Sequence, residues 1–142
     1  MIRYDHPIKV YYKDIDQMGI VYYSRYFEYF EEARTEMLSS IGLDYSNVEE
    51  NGAMLPVIEA HCEYKKGATF SQDIIVKTYI RELPKVKIKF EYKICLADSD
   101  EILLTGYTVH ACTNLEGKPV KIPKYIRKIL KDKLDNLWII FT

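Results

Sequence analysis

Residues 24–41, SRYFEYFEEARTEMLSSI, put Tyr26, Phe27, Phe30, Ala33, Met37, Leu38 and Ile41 at steps of three and four, with Glu28, Glu31, Glu32, Arg34 and Glu36 between them. That spacing predicts one amphipathic helix from Ser24 to Ile41, ~27 Å long at about 1.5 Å per residue, with a single buried face. Ser24 is placed to cap its N-terminus, and Gly42 stands at the position after its C-cap. The glutamates crowd the early turns, where the helix dipole favours negative charge.

On the N-terminal side, Ile8 to Tyr12 (IKVYY) reads as a short strand ending near Lys13, with His6 in a loop before it. On the C-terminal side a polar connection, Asp44 to Gly52, leads to four segments of strand character: Met54 to Tyr64, Gln72 to Glu82, Lys85 to Ala97 and Glu101 to Thr113. Within the third, Val86, Ile88, Phe90, Tyr92 and Ile94 alternate with Lys87, Lys89, Glu91 and Lys93, the pattern of a strand with one dry and one wet face. Short turns at Glu82–Lys85 and Asp98–Asp100 predict antiparallel neighbours. No second helix is expected before the C-terminus, where Lys124 to Leu137 reads as a basic amphipathic helix. A sheet with one apolar face must cover it, and only the Ser24–Ile41 helix can do so. The expected fold class is α+β: one domain over 1–142, an antiparallel sheet wrapped around one long central helix. Ile75, Tyr79 and Leu104 are expected on the outer face of the sheet, where they suggest a homo-oligomer.

Composition narrows the function. A chain of 142 residues buries about 68% of its unfolded surface, enough for a core without disulfides or metal. The formal net charge of −1 gives no chain-wide attraction to nucleic acid or anionic membranes. Cys62, Cys95 and Cys112 are odd in number and form no CxxC pair, so a secreted disulfide framework is not indicated. The opening MIRYDHPIKVYYKD has no apolar core of a signal peptide, and no run approaches the roughly 20 residues of a membrane span. The expectation is an unprocessed cytoplasmic chain. Its 13 tyrosines suit half-buried sheet faces, subunit contacts and ligand clefts.

The strongest chemical signal is the link between the first strand and the helix, Tyr12-Lys13-Asp14-Ile15-Asp16-Gln17-Met18-Gly19-Ile20-Val21-Tyr22-Tyr23. Its DxDxxG pattern opens like a calcium loop, but Met18 replaces an oxygen ligand and Arg25 stands where the bidentate acid is required. Two acids two residues apart in extended chain point the same way, and their repulsion raises one carboxyl pKa. A carboxylate beside the unpaired N–H groups of a helix start has the ingredients of acyl transfer; the plainer alternative is that Asp14 and Asp16 cap turns. His61 and Cys62, adjacent in a strand, face opposite ways and form no dyad, and His110 reads as a structural histidine. GxSxG, GxGxxG, Walker and HExxH motifs are absent. Lys65, Lys66, Arg81, Lys85, Lys87 and Lys89 form a basic zone that fits solvated edges or a phosphate-bearing ligand.

The stretch YKDIDQMGIVYYSRYFEYFEEARTEML (12–38) resembles the signature of hotdog-fold acyl-CoA thioesterases of the 4-hydroxybenzoyl-CoA thioesterase and YbgC type. The likeness continues through LPVIEAHCEYKKGATFSQDIIVKTYIRELPKVKIKFEY (55–92) and covers roughly residues 5 to 113. It implies a thioesterase acting on acyl- or aroyl-CoA without metal or organic cofactor, as a homodimer or homotetramer whose site lies between subunits. The same likeness puts Asp16 at the catalytic carboxylate, as nucleophile or general base, and the backbone N–H of Tyr23 at the thioester oxygen. Gly19, Val21 and Tyr22 in the loop, with Lys65 and Lys85 in the basic zone, become the candidate substrate contacts. Tyr23 stands where YbgC-like members often carry His, and Gly67 where relatives often have Pro. A catalytically silent acyl-thioester-binding protein of the same fold is the alternative.

Overall fold

The computed structural model describes residues 1–136 and the backbone of the short strand 139–141. Strands β1 (Ile2–Lys9), β2 (Val57–Tyr64), β3 (Asp73–Ile80), β4 (Lys87–Leu96), β5 (Ile102–Ala111) and β6 (Ile139–Phe141) form one sheet in the order β2-β5-β4-β3-β1-β6. Every neighbouring pair is antiparallel except β1 with β6. Helix α1 (Arg25–Ser40) packs against the sheet, a short α2 (Tyr45–Glu50) follows it, and α3 (Lys124–Asp135) comes near the C-terminus. This is the expected α+β arrangement. The register places Tyr4, Thr78, Tyr92, Gly106 and Cys62 in one row across the sheet. Phe30 of α1 stacks on Tyr92 in that row, with ring centroids 4.1 Å apart and planes 7° from parallel. Among the described residues no helix is long and apolar enough to cross a membrane.

The helix was legible from its spacing, but its ends and one residue differ. Ser24 has helical backbone angles and its side chain caps nothing. Gly42 adopts φ +82°, and the Leu43 N–H reaches back to the Leu38 carbonyl at 2.8 Å, a left-handed stop. Arg34, expected on the wet side, is 5% exposed. It extends beneath the helix to donate to the Tyr45 hydroxyl at 3.2 Å and the Tyr92 hydroxyl at 3.1 Å.

Four further expectations are corrected. The first strand is Ile2–Lys9 rather than Ile8–Tyr12, so His6 lies in a strand. Ile2 and Tyr4 supply its buried positions, and Tyr12–Asp14 turn into one turn of 3-10 helix. Pro7 is tolerated because β6 pairs only with Arg3 to Asp5, leaving that edge open where proline lacks a donor. Helix α2 interrupts the polar connection; with only Val48 buried it shows no periodicity, and Asp44 caps it through the Asn47 N–H. Leu104 faces the core opposite Ile94, because beyond the register shift at Cys95 β5 turns its even-numbered residues inward from Leu104 on. Helix α3 ends at Asp135, and Leu137, the expected last residue, lies outside the described residues.

Candidate active site

The Asp14–Asp16 pair is split by the local backbone. Asp14 ends the 3-10 turn and is buried, its Oδ2 accepting the Tyr11 N–H at 3.1 Å and its Oδ1 lying 4.0 Å from Arg25 Nε. Asp14 therefore fastens the end of β1 to the start of α1. Ile15 resumes extended geometry and bridges Val21, so residues 15–21 make a narrow loop. At its tip the Gly19 N–H donates to the Asp16 carbonyl at 3.1 Å, and the Asp16 N–H to the Ile20 carbonyl at 2.9 Å. Gly19 sits at φ +79°, a left-handed conformation that a side chain would strain. The Asp16 carboxylate is held by the Met18 N–H, which donates to Oδ1 at 2.8 Å. The two acids thus have separate partners; the expectation of mutual repulsion assumed extended chain through both.

Beyond the loop, the Tyr22 N–H donates to the Asp14 carbonyl at 2.9 Å and the Arg25 N–H to the Tyr22 carbonyl at 2.9 Å, which starts α1. The Tyr23 N–H donates to no group among the described residues, as befits a helix start. Asp16, Val21, Tyr23 and Lys65 line one cavity of about 280 Å³, together with Ile20, Tyr26, Tyr64, Lys66 and Gly67. Gly19 and Tyr22 do not line it: Gly19 shapes the turn, and the Tyr22 ring leans on Tyr23 with centroids 4.6 Å apart. That contact with the Tyr23 hydroxyl raises the Tyr22 pKa. Lys85 is not brought to this cavity. It borders a separate cleft of about 440 Å³ with Arg81, Lys87 and Lys89, because β4 runs the length of the sheet and Lys85 precedes its far end.

Two tyrosines of the cavity, Tyr26 and Tyr64, were not singled out as site residues from sequence. Burial pushes the Tyr26 hydroxyl pKa up, and burial with the neighbouring Cys62 thiol pushes Tyr64 up to about 12. Both phenols stay protonated at neutral pH, and among the described residues Asp16 is the one carboxylate that lines the cavity. The signal for them was weak, since their partners lie more than 40 residues away in the chain. Among the described residues no three His, Cys, Asp or Glu side chains are grouped to hold a metal ion.

The profile of the thioesterase-like superfamily matches residues 10–130. The chain belongs to that superfamily. A protein called a putative esterase from Aquifex aeolicus is 35% identical over 124 residues, covering 87% of this chain and 94% of its own. The acyl-CoA thioesterase YbgC of Haemophilus influenzae is 31% identical over 127 residues, covering 87% and 91%. Among solved structures, the DHNA-CoA thioesterase of Staphylococcus aureus superposes with a TM-score of 0.87 at 25% identity, covering 99% of both chains. The hotdog thioesterase fold therefore accounts for the helix-on-sheet arrangement, and the loop with Asp16 lies within the span that the superfamily shares.

Proposed function

We propose that this thioesterase hydrolyses an acyl- or aroyl-CoA to the free acid and CoA, with Asp16 attacking the thioester carbonyl or activating water for that attack. The observation that carries the reading is that Asp16 and the start of α1 at Tyr23 open on one cavity. The Met18 N–H engages Asp16 Oδ1, leaving Oδ2 free of protein partners among the described residues. The free Tyr23 N–H, at the positive end of α1, suits the oxygen that gains charge as the carbonyl becomes tetrahedral. If Asp16 is the nucleophile, its oxygen bonds the carbonyl carbon, the C–S bond breaks, and water then cleaves the mixed anhydride. If it is the base, it takes the proton of the attacking water, and CoA leaves as thiolate. Val21, Tyr26 and Tyr64 offer apolar surface to the acyl group, and Lys65 and Lys66 stand at the rim for CoA phosphates.

The exposed edge of β2 suits a homodimer, alone or within a tetramer. Antiparallel pairing of two β2 edges sets Tyr64 of one copy near Val57 of the other. In such a pair the register from Val57 through His110 to Ile88 would bring the Lys85 end of the second sheet to the side of this cavity. Lys85 of the partner subunit is then available to CoA, and the reaction takes place in the cytoplasm.

A panel of CoA thioesters given to the purified full chain, with free thiol followed, tests the reading. The expected outcome is turnover on at least one thioester, a loss of at least about 100-fold in kcat for Asp16→Asn, and most of the rate kept in Tyr23→Phe. Full activity in Asp16→Asn ends the assignment of the carboxylate. Tight binding without turnover by the unaltered chain identifies a silent binder instead.

A further inference from the structure

We propose that Tyr26 is a positioning residue for Asp16, acting through the peptide groups of Ala68. Tyr26 lies in the first turn of α1 and is 2% exposed, its ring wedged between Tyr29 at 5.9 Å and Tyr64 at 5.6 Å. Its hydroxyl oxygen accepts the Ala68 N–H at 3.0 Å. The Ala68 carbonyl in turn accepts the Val21 N–H at 2.9 Å, and Ile20 bridges Thr69 in the same antiparallel sense. Ile20 is the residue whose carbonyl receives the Asp16 N–H. An unbroken series of hydrogen bonds and peptides therefore runs from the Tyr26 hydroxyl through Ala68 to the backbone that carries the carboxylate.

The same segment also grips the other half of the site. Tyr64 donates its hydroxyl to the Tyr23 carbonyl at 3.1 Å. Asp16 and the helix start are thus both tied to residues 64–68, one through Ala68 and the other through Tyr64. That makes 64–68 the spacer that sets their separation. Gly67 lets the spacer close against the loop: a Cβ there would stand 2.9 Å from Ile20 Cβ. Removing the Tyr26 hydroxyl leaves the buried Ala68 N–H without an acceptor, so the spacer shifts to find one and the loop follows it. A displacement on the order of 1 Å at a reacting group can cost about 100-fold in rate.

This inference rests on the proposed role of Asp16, so its test uses both residues. Tyr26→Phe keeps the ring and removes only the acceptor. The expected result is a fall of roughly 10- to 100-fold in kcat with KM within about three-fold. In an Asp16→Asn background the same change is expected to cost no further rate, since nothing remains to be positioned. A merely structural tyrosine would lower the melting temperature, leave kcat per folded molecule unchanged, and give the same effect in both backgrounds. An Asp16→Asn variant that loses activity beside a Tyr26→Phe variant that keeps full kcat overturns this inference alone. An active Asp16→Asn variant overturns the reading beneath it. Should Tyr26→Phe not fold, amide hydrogen exchange of the unaltered chain decides: slow exchange at Ala68 and Val21 is expected, and fast exchange at Ala68 overturns the inference.

Discussion

His110 has partners that only its neutral ring satisfies. Arg34 Nη1 donates to the Tyr92 hydroxyl at 3.1 Å, that hydroxyl meets Thr108 Oγ1 at 2.6 Å, and Thr108 meets His110 Nε2 at 3.0 Å. Arg34 can only donate, which sets the direction of the series, so Nε2 accepts from Thr108 and Nδ1 donates to the Leu55 carbonyl at 3.0 Å. A second proton would make Nε2 a donor facing a donor. Burial, with the Arg34 charge adding to it against the bond to Leu55, holds the His110 pKa down at about 4. Among the described residues no carboxylate bonds Arg34 or His110; the group packed edge-on against the imidazole is the Phe90 ring. The unfolded chain therefore binds more protons between about pH 4 and 6.5, and His110 stabilises the fold fully only above about 6.5. Acidification from pH 7 to 4.5 is expected to remove about 2–3 kcal/mol through this residue. Urea unfolding at the two pH values checks it, because His110→Gln should flatten the difference; equal slopes in both proteins would contradict the assignment. The structural reading of His110 was available from its strand position, whereas Arg34 was misplaced because periodicity treats every charge as wet. Tyr26 and Tyr64 escaped notice for a related reason: a hydroxyl's partner across 40 residues of chain leaves no local pattern.

Gly106 lies under the Phe30 ring of helix α1 with no room for a side chain. A Cβ at that position would stand 2.5 Å from the His61 carbonyl oxygen and 3.0 Å from the Phe30 ring. The first contact is to backbone of the paired strand β2 and the second to the ring stacked on Tyr92, so neither neighbour has room to yield. Gly106→Ala is expected to destabilise by about 2–3 kcal/mol, and to lower Tm by roughly 5–15 °C. A calorimetric scan that finds Tm unchanged would show that the helix can lift without loss. Strand alternation announced this packing at Ile88, Phe90, Tyr92 and Ile94, which are all buried as expected. Elements whose pattern was incomplete were read less well. Strand β1 appeared only in part, because the dense β-branched and aromatic run IKVYY drew the boundary toward Tyr12, while the structure ends the strand at Lys9. The turn at Tyr12–Asp14 then withdraws Asp14 into the interior and leaves Asp16 facing the cavity, a division that two identical residue types could not reveal.

At the scale of the molecule, the surface that asks for a partner is the edge strand β2. All its residues except Cys62 are exposed or nearly so, including Val57 at 48%, Ile58 at 51% and Tyr64 at 48%. A long exposed apolar edge invites pairing with another strand, and natural sheets that remain single blunt such edges with charge, proline or bulges. Here a bulge falls between Val57 and Glu59, yet the strand beyond it stays regular to Tyr64. On the outer sheet face, where a partner was expected from sequence, Arg81 and Lys93 lie over the Tyr79 ring at 4.7 and 5.7 Å, and Lys89 over Tyr107 at 4.6 Å. Pairing through β2 would also bear on the proposed site, since Tyr64 stands at the end of that edge and donates to the Tyr23 carbonyl. Ile58→Lys places a charge on the edge six residues from Tyr64, outside the cavity. Light scattering is expected to show a dimer or tetramer for the unaltered chain and a shift toward monomer for Ile58→Lys. Thioester hydrolysis should fall with the fraction of dimer and recover as protein concentration rises. A monomeric Ile58→Lys variant with full specific activity would place the whole site within one subunit and remove the need for the β2 edge.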